Sequence, residues 1–217
     1  MYDVAEAVRP YRGVSAEERR TLRRSQLLEA CLDVVGEVGV AATTAEAICA
    51  RAGLSKRYFY ETFTDRDEVL VAALDVFFES ARIAILPALA ATDATADERL
   101  TGTVAALVAS VSADPRTARL YVESSRNVAL EQRRIAAYDV FADLLLEHAF
   151  DIGVEPHGPR ARTVALLIVS GTTEVVARWL SGDLDLDEAG LVDAISGVGI
   201  AAAAALSDSR PAPSRRP

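Results

Sequence analysis

At 217 residues, with 51% hydrophobic and 25% charged side chains, the chain has material for a sizeable core and lacks the bias of a disordered or fibrous protein. A net charge of −9 argues at first against a nucleic-acid partner. The start, MYDVAEAVRP, lacks the basic-then-apolar pattern of a signal peptide, and the longest uninterrupted apolar run, VGIAAAAAL, is about half of what a bilayer span requires, so a cytoplasmic protein with no membrane partner is expected.

The chain opens with residues 1–14, which carry Arg9 and Arg12 and read as a flexible arm. Ser15 followed by Glu18 marks a helix start, and Leu28, Cys31, Val35 and Val38 supply an apolar stripe up to Gly39. Thr43 and Glu46 repeat the start signal for a short helix over 45–52. A Gly-Leu-Ser turn follows, then a second short helix over 56–63. Thr64 and Asp67 announce a long helix from 65 to 90, with Pro87 bending or ending it. Further helices are predicted at 97–112, 115–126, 128–150, 160–181 and 187–206, started by Thr95–Glu98, Asp114-Pro115 and Asp185–Glu188. Residues 151–159 read as a loop and 207–217, rich in proline, as a disordered tail. No run alternates apolar and polar residues long enough for a strand, so the predicted class is all-α.

Charge divides unevenly along this order. Residues 1–66 hold ten Arg or Lys against ten Asp or Glu; residues 67–206 hold ten against twenty-one. The cations of the first part cluster at Arg19, Arg20, Arg23 and Arg24, and at Lys56 and Arg57. A local basic face can bind phosphate on an acidic protein, because salt screens distant carboxylates over about 8–10 Å.

Two short helices joined by a glycine turn make a helix-turn-helix. Within RAGLSKRYFYETF and the helix just before it, spacing sorts the side chains. Ile48, Ala52, Leu54, Phe59 and Phe63 face inward, while Lys56, Arg57, Tyr58 and Tyr60 face out. Cys49, four residues before Gly53, is expected at a close helix crossing. Ser55 is expected to cap the second helix, whose free amides with Lys56 suit a phosphate. A helix over 56–63 would be about 12 Å long and would match the major groove.

The stretch GVAATTAEAICARAGLSKRYFYETFTDRDEVL resembles the DNA-binding region of the TetR family of bacterial transcriptional regulators. Gly39, Thr43-Thr44, ICARAGLS and Tyr60 with Phe63 carry the likeness; Cys49, Arg57-Tyr58 and Arg66 depart from it. The resemblance implies phosphate contacts by Thr44, Ser55, Tyr60 and Arg66, base contacts by Arg57 and Tyr58, and either role for Lys56. Arg19, Arg20, Arg23 and Arg24 either meet flanking DNA or form a solvated charge run.

It further implies a reading unit over 15–66 and a helical ligand-binding and dimerisation unit over 67–206. Small residues Ser170, Gly171, Thr172, Gly197 and Gly199 are the candidate contacts of a homodimer, which suits a palindromic double-stranded operator. Candidate ligand contacts are Tyr121, Glu123, Arg126, Asn127, Tyr138, Glu174, Arg178 and Trp179, with His148 read as a charge partner at a helix end. The expected function is a sequence-specific repressor released by a small molecule; the alternative is an architectural DNA-binding protein with no effector. Cys31, Cys49, His148 and His157 match no metal spacing, and neither a phosphate loop nor a nucleophile elbow is present, so no metal, cofactor or catalytic residue is expected.

Overall fold

The structure, a computed structural model, describes residues 15–148 and 158–207; the expected arm at 1–14, most of the 151–159 loop with His157, and the tail from 208 lie outside these. The described residues form helices α1 (Ala16–Val38), α2 (Ala45–Ala52), α3 (Lys56–Tyr60), α4 (Arg66–Leu89), α5 (Ala96–Ser112), α6 (Pro115–Glu123), α7 (Val128–His148), α8 (Pro159–Leu180) and α9 (Glu188–Ser207). A 3₁₀ turn at Ser124–Arg126 joins α6 to α7, and no strand occurs among the described residues. The all-α expectation holds.

Local chemistry accounts for most helix ends. Ser15 and Glu18 form a reciprocal capping box at α1, and Thr95 with Glu98 does the same at α5. Asp114 accepts from the Arg116 amide at α6, ahead of Pro115. Three predicted starts move. Thr44, not Thr43, caps α2, because the Thr43 hydroxyl is buried and donates to Gly39 O at 2.8 Å. Asp65 caps α4 instead of Thr64. At α9 the Asp187 carboxylate, not Asp185, receives the Gly190 amide. Pro87 lies inside the last turn of α4, which runs two residues beyond it.

The stripe on α1 is also adjusted. Leu27, Cys31 and Val35 are fully buried, whereas Val38 is 49% exposed. Ile48, Phe59 and Phe63 close the core of the first three helices as predicted. Burial pushes the Cys31 thiol up to about 12 and also raises that of Cys49.

One cluster of buried side chains runs from Leu27 on α1 through Phe59, Leu70, Phe77 and Tyr121 to Leu191 on α9. A second joins Leu89, Leu100, Leu145, Ala165 and Leu206, and Phe141 packs against both. Helix α4 is long enough to enter both clusters, so it connects the first three helices to the bundle.

By length and mean hydropathy, α8 and α9 are each long and apolar enough to cross a bilayer, although neither is uninterruptedly apolar over that length. Their apolar character comes from Val, Leu and Ile interrupted by small and polar residues in α8, and chiefly from Ala in α9. In this fold α8 packs on α7 and α9 on α5, and Arg162 of α8 pairs with Asp139 at 2.6 Å and Asp143 at 2.5 Å.

Gly53 ends α2 in the left-handed region, at φ 65°, and donates back to Ala50 O and Cys49 O. A Cβ there would meet nothing within 4 Å, so the turn needs glycine for its dihedral and not for a close helix crossing, contrary to the sequence expectation. Gly53→Ala should therefore lower the unfolding free energy by about 1–2 kcal/mol, read from a denaturant titration, through backbone strain alone.

Candidate nucleic-acid interface and internal cavity

Helix α3 spans five residues, shorter than predicted: the chain turns at Glu61 and Thr62, so the helix is about 7.5 Å long. Ser55 precedes it but makes no side-chain cap bond, and so few peptide dipoles sum to a weak helix terminus. The phosphate contact expected of this helix end would therefore rest on side chains.

Those side chains are exposed. Arg57 is 85% exposed, and Tyr58 and Tyr60 are 40% and 56% exposed. Each cation has an acidic companion. Lys56 pairs with Glu46 across the turn, Arg57 Nε donates to Glu61 at 2.8 Å, and Arg66 Nη2 donates to Asp67 at 2.7 Å. Such exposed pairs are weak and yield readily to a competing phosphate or base edge. Thr44 accepts the Ala47 amide at 3.1 Å, which leaves its hydroxyl proton to point outward. Tyr60 packs its ring edge-on to the buried Phe59 at 5.3 Å.

The arginine run of α1 is not wholly solvated. Arg23 lies 4.8 Å over the Tyr58 ring, and Arg24 lies 4.8 Å over that of Phe63. These contacts were not legible in the sequence, because 35 or more positions separate the partners. The Arg57–Glu61 pair was legible as an i, i+4 spacing.

Between the two core clusters lies a cavity of about 100 Å³, walled chiefly by Phe77, Phe78, Val104, Tyr121, Phe141 and Val176. Phe77 and Tyr121 stack at 5.0 Å. The polar atoms in this wall are largely satisfied internally. Tyr121 donates to Thr173 O at 2.9 Å, and the Thr103 and Thr173 hydroxyls donate to carbonyls of their own helices. Burial raises the Tyr121 phenol above its ordinary value, so it stays neutral.

Of the expected ligand residues, only Tyr121 lines this cavity. Glu174 and Arg178 pair with each other on the surface at 2.8 Å. Asn127 accepts the Leu130 amide and donates to Asp67 at 3.2 Å, tying α7 to the start of α4. Tyr138 packs beside the second core cluster. The Trp179 indole donates to Leu186 O at 2.8 Å. Trp179 shares a surface groove with Glu123 and Arg126, apart from the cavity wall. His148 bonds Leu144 O in the last turn of α7.

Glu123 has a different place, unforeseen from sequence. Its carboxylate accepts the Val40 amide at 2.7 Å and Arg119 Nε at 2.9 Å. On the same helix, Arg116 reaches Glu29 at 2.7 Å, Asp33 at 2.5 Å and Asp114 at 2.7 Å, while Arg119 donates to Gly36 O at 2.9 Å. A Cβ on Gly36 would come within 2.8 Å of Arg116 Cγ, so the absent side chain is what lets α6 approach α1. One helix thus carries the cavity wall at Tyr121 and an ionic latch to α1 and the α1–α2 connection.

The small residues proposed for pairing two copies separate into groups. Gly171 and Gly197 are exposed, and a Cβ added to either would meet nothing within 4 Å. Leu167 and Val198 nearby are 65% and 68% exposed. Thr172 faces the cavity. The half-buried Ser170 bonds back to Leu166 O at 2.7 Å. Gly199 packs within the chain, where a Cβ would meet Leu100 Cδ2 at 2.6 Å.

Residues 27–73 match the sequence profile described as "Bacterial regulatory proteins, tetR family". The chain is 28% identical over 179 residues to the HTH-type transcriptional activator FasR of Mycolicibacterium smegmatis, with 80% of each chain covered. Among solved structures, a TetR-family regulator from Syntrophomonas wolfei superimposes with a TM-score of 0.71 at 17% identity, over 85% of this chain and 96% of that one. FadR of Bacillus subtilis, in complex with stearoyl-CoA, does so with a TM-score of 0.60 at 20% identity, over 80% and 96%. At these identities the structural likenesses speak to the fold.

Proposed function

Because the chain belongs to the TetR family of bacterial transcriptional regulators, we propose that it is a homodimeric repressor whose hold on a palindromic operator is released by an apolar effector. Residues 15–66 form the reading unit and 67–206 the effector and pairing unit. Arg57 and Tyr58 reach base edges; Thr44, Ser55, Tyr60 and Arg66 meet phosphates; Lys56 serves either role. The observation that carries the effector reading is the cavity, since a core filled throughout would have favoured an architectural protein.

Its walls specify the ligand class. An almost wholly apolar lining suits a hydrocarbon chain and leaves an anion unpaired inside. An acyl chain, as carried by the stearoyl-CoA bound to FadR, fits that description. The void is smaller than the roughly 300–1,000 Å³ of established ligand pockets, so an effector must displace the wall as it enters. Displacing Tyr121 moves α6, and α6 is latched to α1.

The test begins with footprinting on the DNA flanking the protein's own gene, followed by operator binding with and without stearoyl-CoA. Release by stearoyl-CoA supports the reading; an operator affinity unchanged at saturation moves the weight to the architectural protein. Arg57→Ala should weaken operator binding roughly 5- to 150-fold and relax preference at one base pair of each half-site. A binding-site profile left unchanged by that substitution removes Arg57 from base reading. A second reading, activation, is favoured by the relationship to FasR. Deleting the gene should raise transcription from the operator-bearing promoter under the first reading and lower it under the second.

A further inference from the structure

We propose that Arg23 of α1 is a positioning residue for base reading, holding the Tyr58 ring in the orientation from which it meets DNA. The inference rests on the reading of α3 as the recognition helix.

Its guanidinium carbon sits 4.8 Å from the Tyr58 ring centroid, inside the range in which a cation is drawn to an aromatic face. Tyr58 is 40% exposed, so one face of the ring is covered while part of the residue stays open to solvent. Little else fixes it. Helix α3 has five residues, its main backbone neighbour is α2, and the side chains of Arg57 and Tyr60 beside Tyr58 are exposed. A tyrosine on such a surface divides its time among rotamers. A cation over one face favours a single rotamer by roughly two- to fivefold at an exposed site. That preference is established before DNA arrives, so the binding complex loses less side-chain freedom when Tyr58 docks.

Arg24 supplies an internal comparison. It lies at the same 4.8 Å over Phe63, but Phe63 is 1% exposed. Arg24 therefore covers a core ring and orients no base reader. Two adjacent arginines of like charge thus differ in what lies beneath them.

The alternative for Arg23 is a plain phosphate contact, and the two roles leave different marks. Losing a phosphate contact weakens all sequences alike and reduces the salt slope by about one. Losing a positioner relaxes preference at the base pair that Tyr58 reads.

The experiment selects binding sites from a randomised duplex pool with the full-length protein and with Arg23→Gln, Arg23→Lys, Tyr58→Ala, Arg23→Gln/Tyr58→Ala and Arg24→Gln. Arg23→Gln is expected to relax preference about two- to fivefold at the same base pair that Tyr58→Ala relaxes. The double variant should add nothing at that position. Arg23→Lys, which keeps a cation, should restore part of the preference, and Arg24→Gln should leave it intact. An even loss across all sequences in Arg23→Gln, with its salt slope reduced by about one, overturns the proposal in favour of the phosphate contact. An unchanged profile overturns it as well. A parent protein that selects no sequence at all overturns the recognition-helix reading and this inference together, a result distinct from the other two.

Discussion

A Gly171→Arg protein should run as a monomer in light scattering, with its helix content unchanged, and should lose about 100- to 10,000-fold in operator affinity. Gly171 lies on the outer face of α8, where an added Cβ meets nothing within 4 Å of its own chain. Arginine also forms helix better than glycine, so the isolated protomer is not harmed. On the proposed pairing, its steric conflict is with a second copy. Exposed Leu167 on α8 and Val198 on α9 mark the face that such a copy would cover, and a guanidinium placed there would be buried without a partner. A monomer reads one half-site and forfeits the effective concentration that linkage supplies to the second, hence the size of the loss. A dimer that persists in Gly171→Arg places the interface elsewhere.

The second large effect concerns the latch on α6. Arg116→Ala combined with Glu123→Ala should leave an apolar ligand bound to the cavity while its effect on operator affinity shrinks from the usual 5–150-fold toward none. Arg116 holds together Glu29, Asp33 and Asp114, and its removal leaves carboxylates facing one another across the α1–α6 contact. Glu123 satisfies the Val40 amide, and losing that partner costs about 1–3 kcal/mol locally. Neither side chain lines the cavity, so ligand affinity is the internal reference. Measuring stearoyl-CoA binding and operator binding separately decides the matter; coupling retained in the double variant would show that Arg116 and Glu123 do not carry it.

The same contacts set a pH dependence. The Arg116 guanidinium holds the Asp33 and Asp114 carboxyls below their ordinary values. Burial pushes Glu123 upward, but hydrogen bonds from Arg119 and Val40 outweigh it and leave it lowered. Groups with depressed folded values stabilise above their unfolded values, near 4, and lose that contribution as pH falls through the folded ones. The latch should therefore be intact at neutral pH and loosen only below about pH 4.

How much of this was legible beforehand depended on the range of the interactions. Capping pairs such as Ser15–Glu18 and Thr95–Glu98 act within one turn, and i, i+4 faces such as Phe59 with Phe63 follow from helical period, so the sequence by itself determined the all-α class, the helix order and the inward side of the reading unit. Where two caps compete within a residue or two, packing chose: burial of Thr43 handed the α2 cap to Thr44. Contacts between distant segments carried no local trace. Arg116 with Asp33 and Glu123 with Val40 are each separated by 83 positions, and Arg23 with Tyr58 by 35. Polar residues near helix middles looked like ligand contacts, yet the tertiary structure spent Glu123, Asn127 and Trp179 on holding helices and turns together. It built the cavity instead from phenylalanines and valines that periodicity could only assign to a core. Whether a buried apolar face meets another face or an empty volume is decided by how helices from opposite ends of the chain pack, and that is a property of the assembled fold.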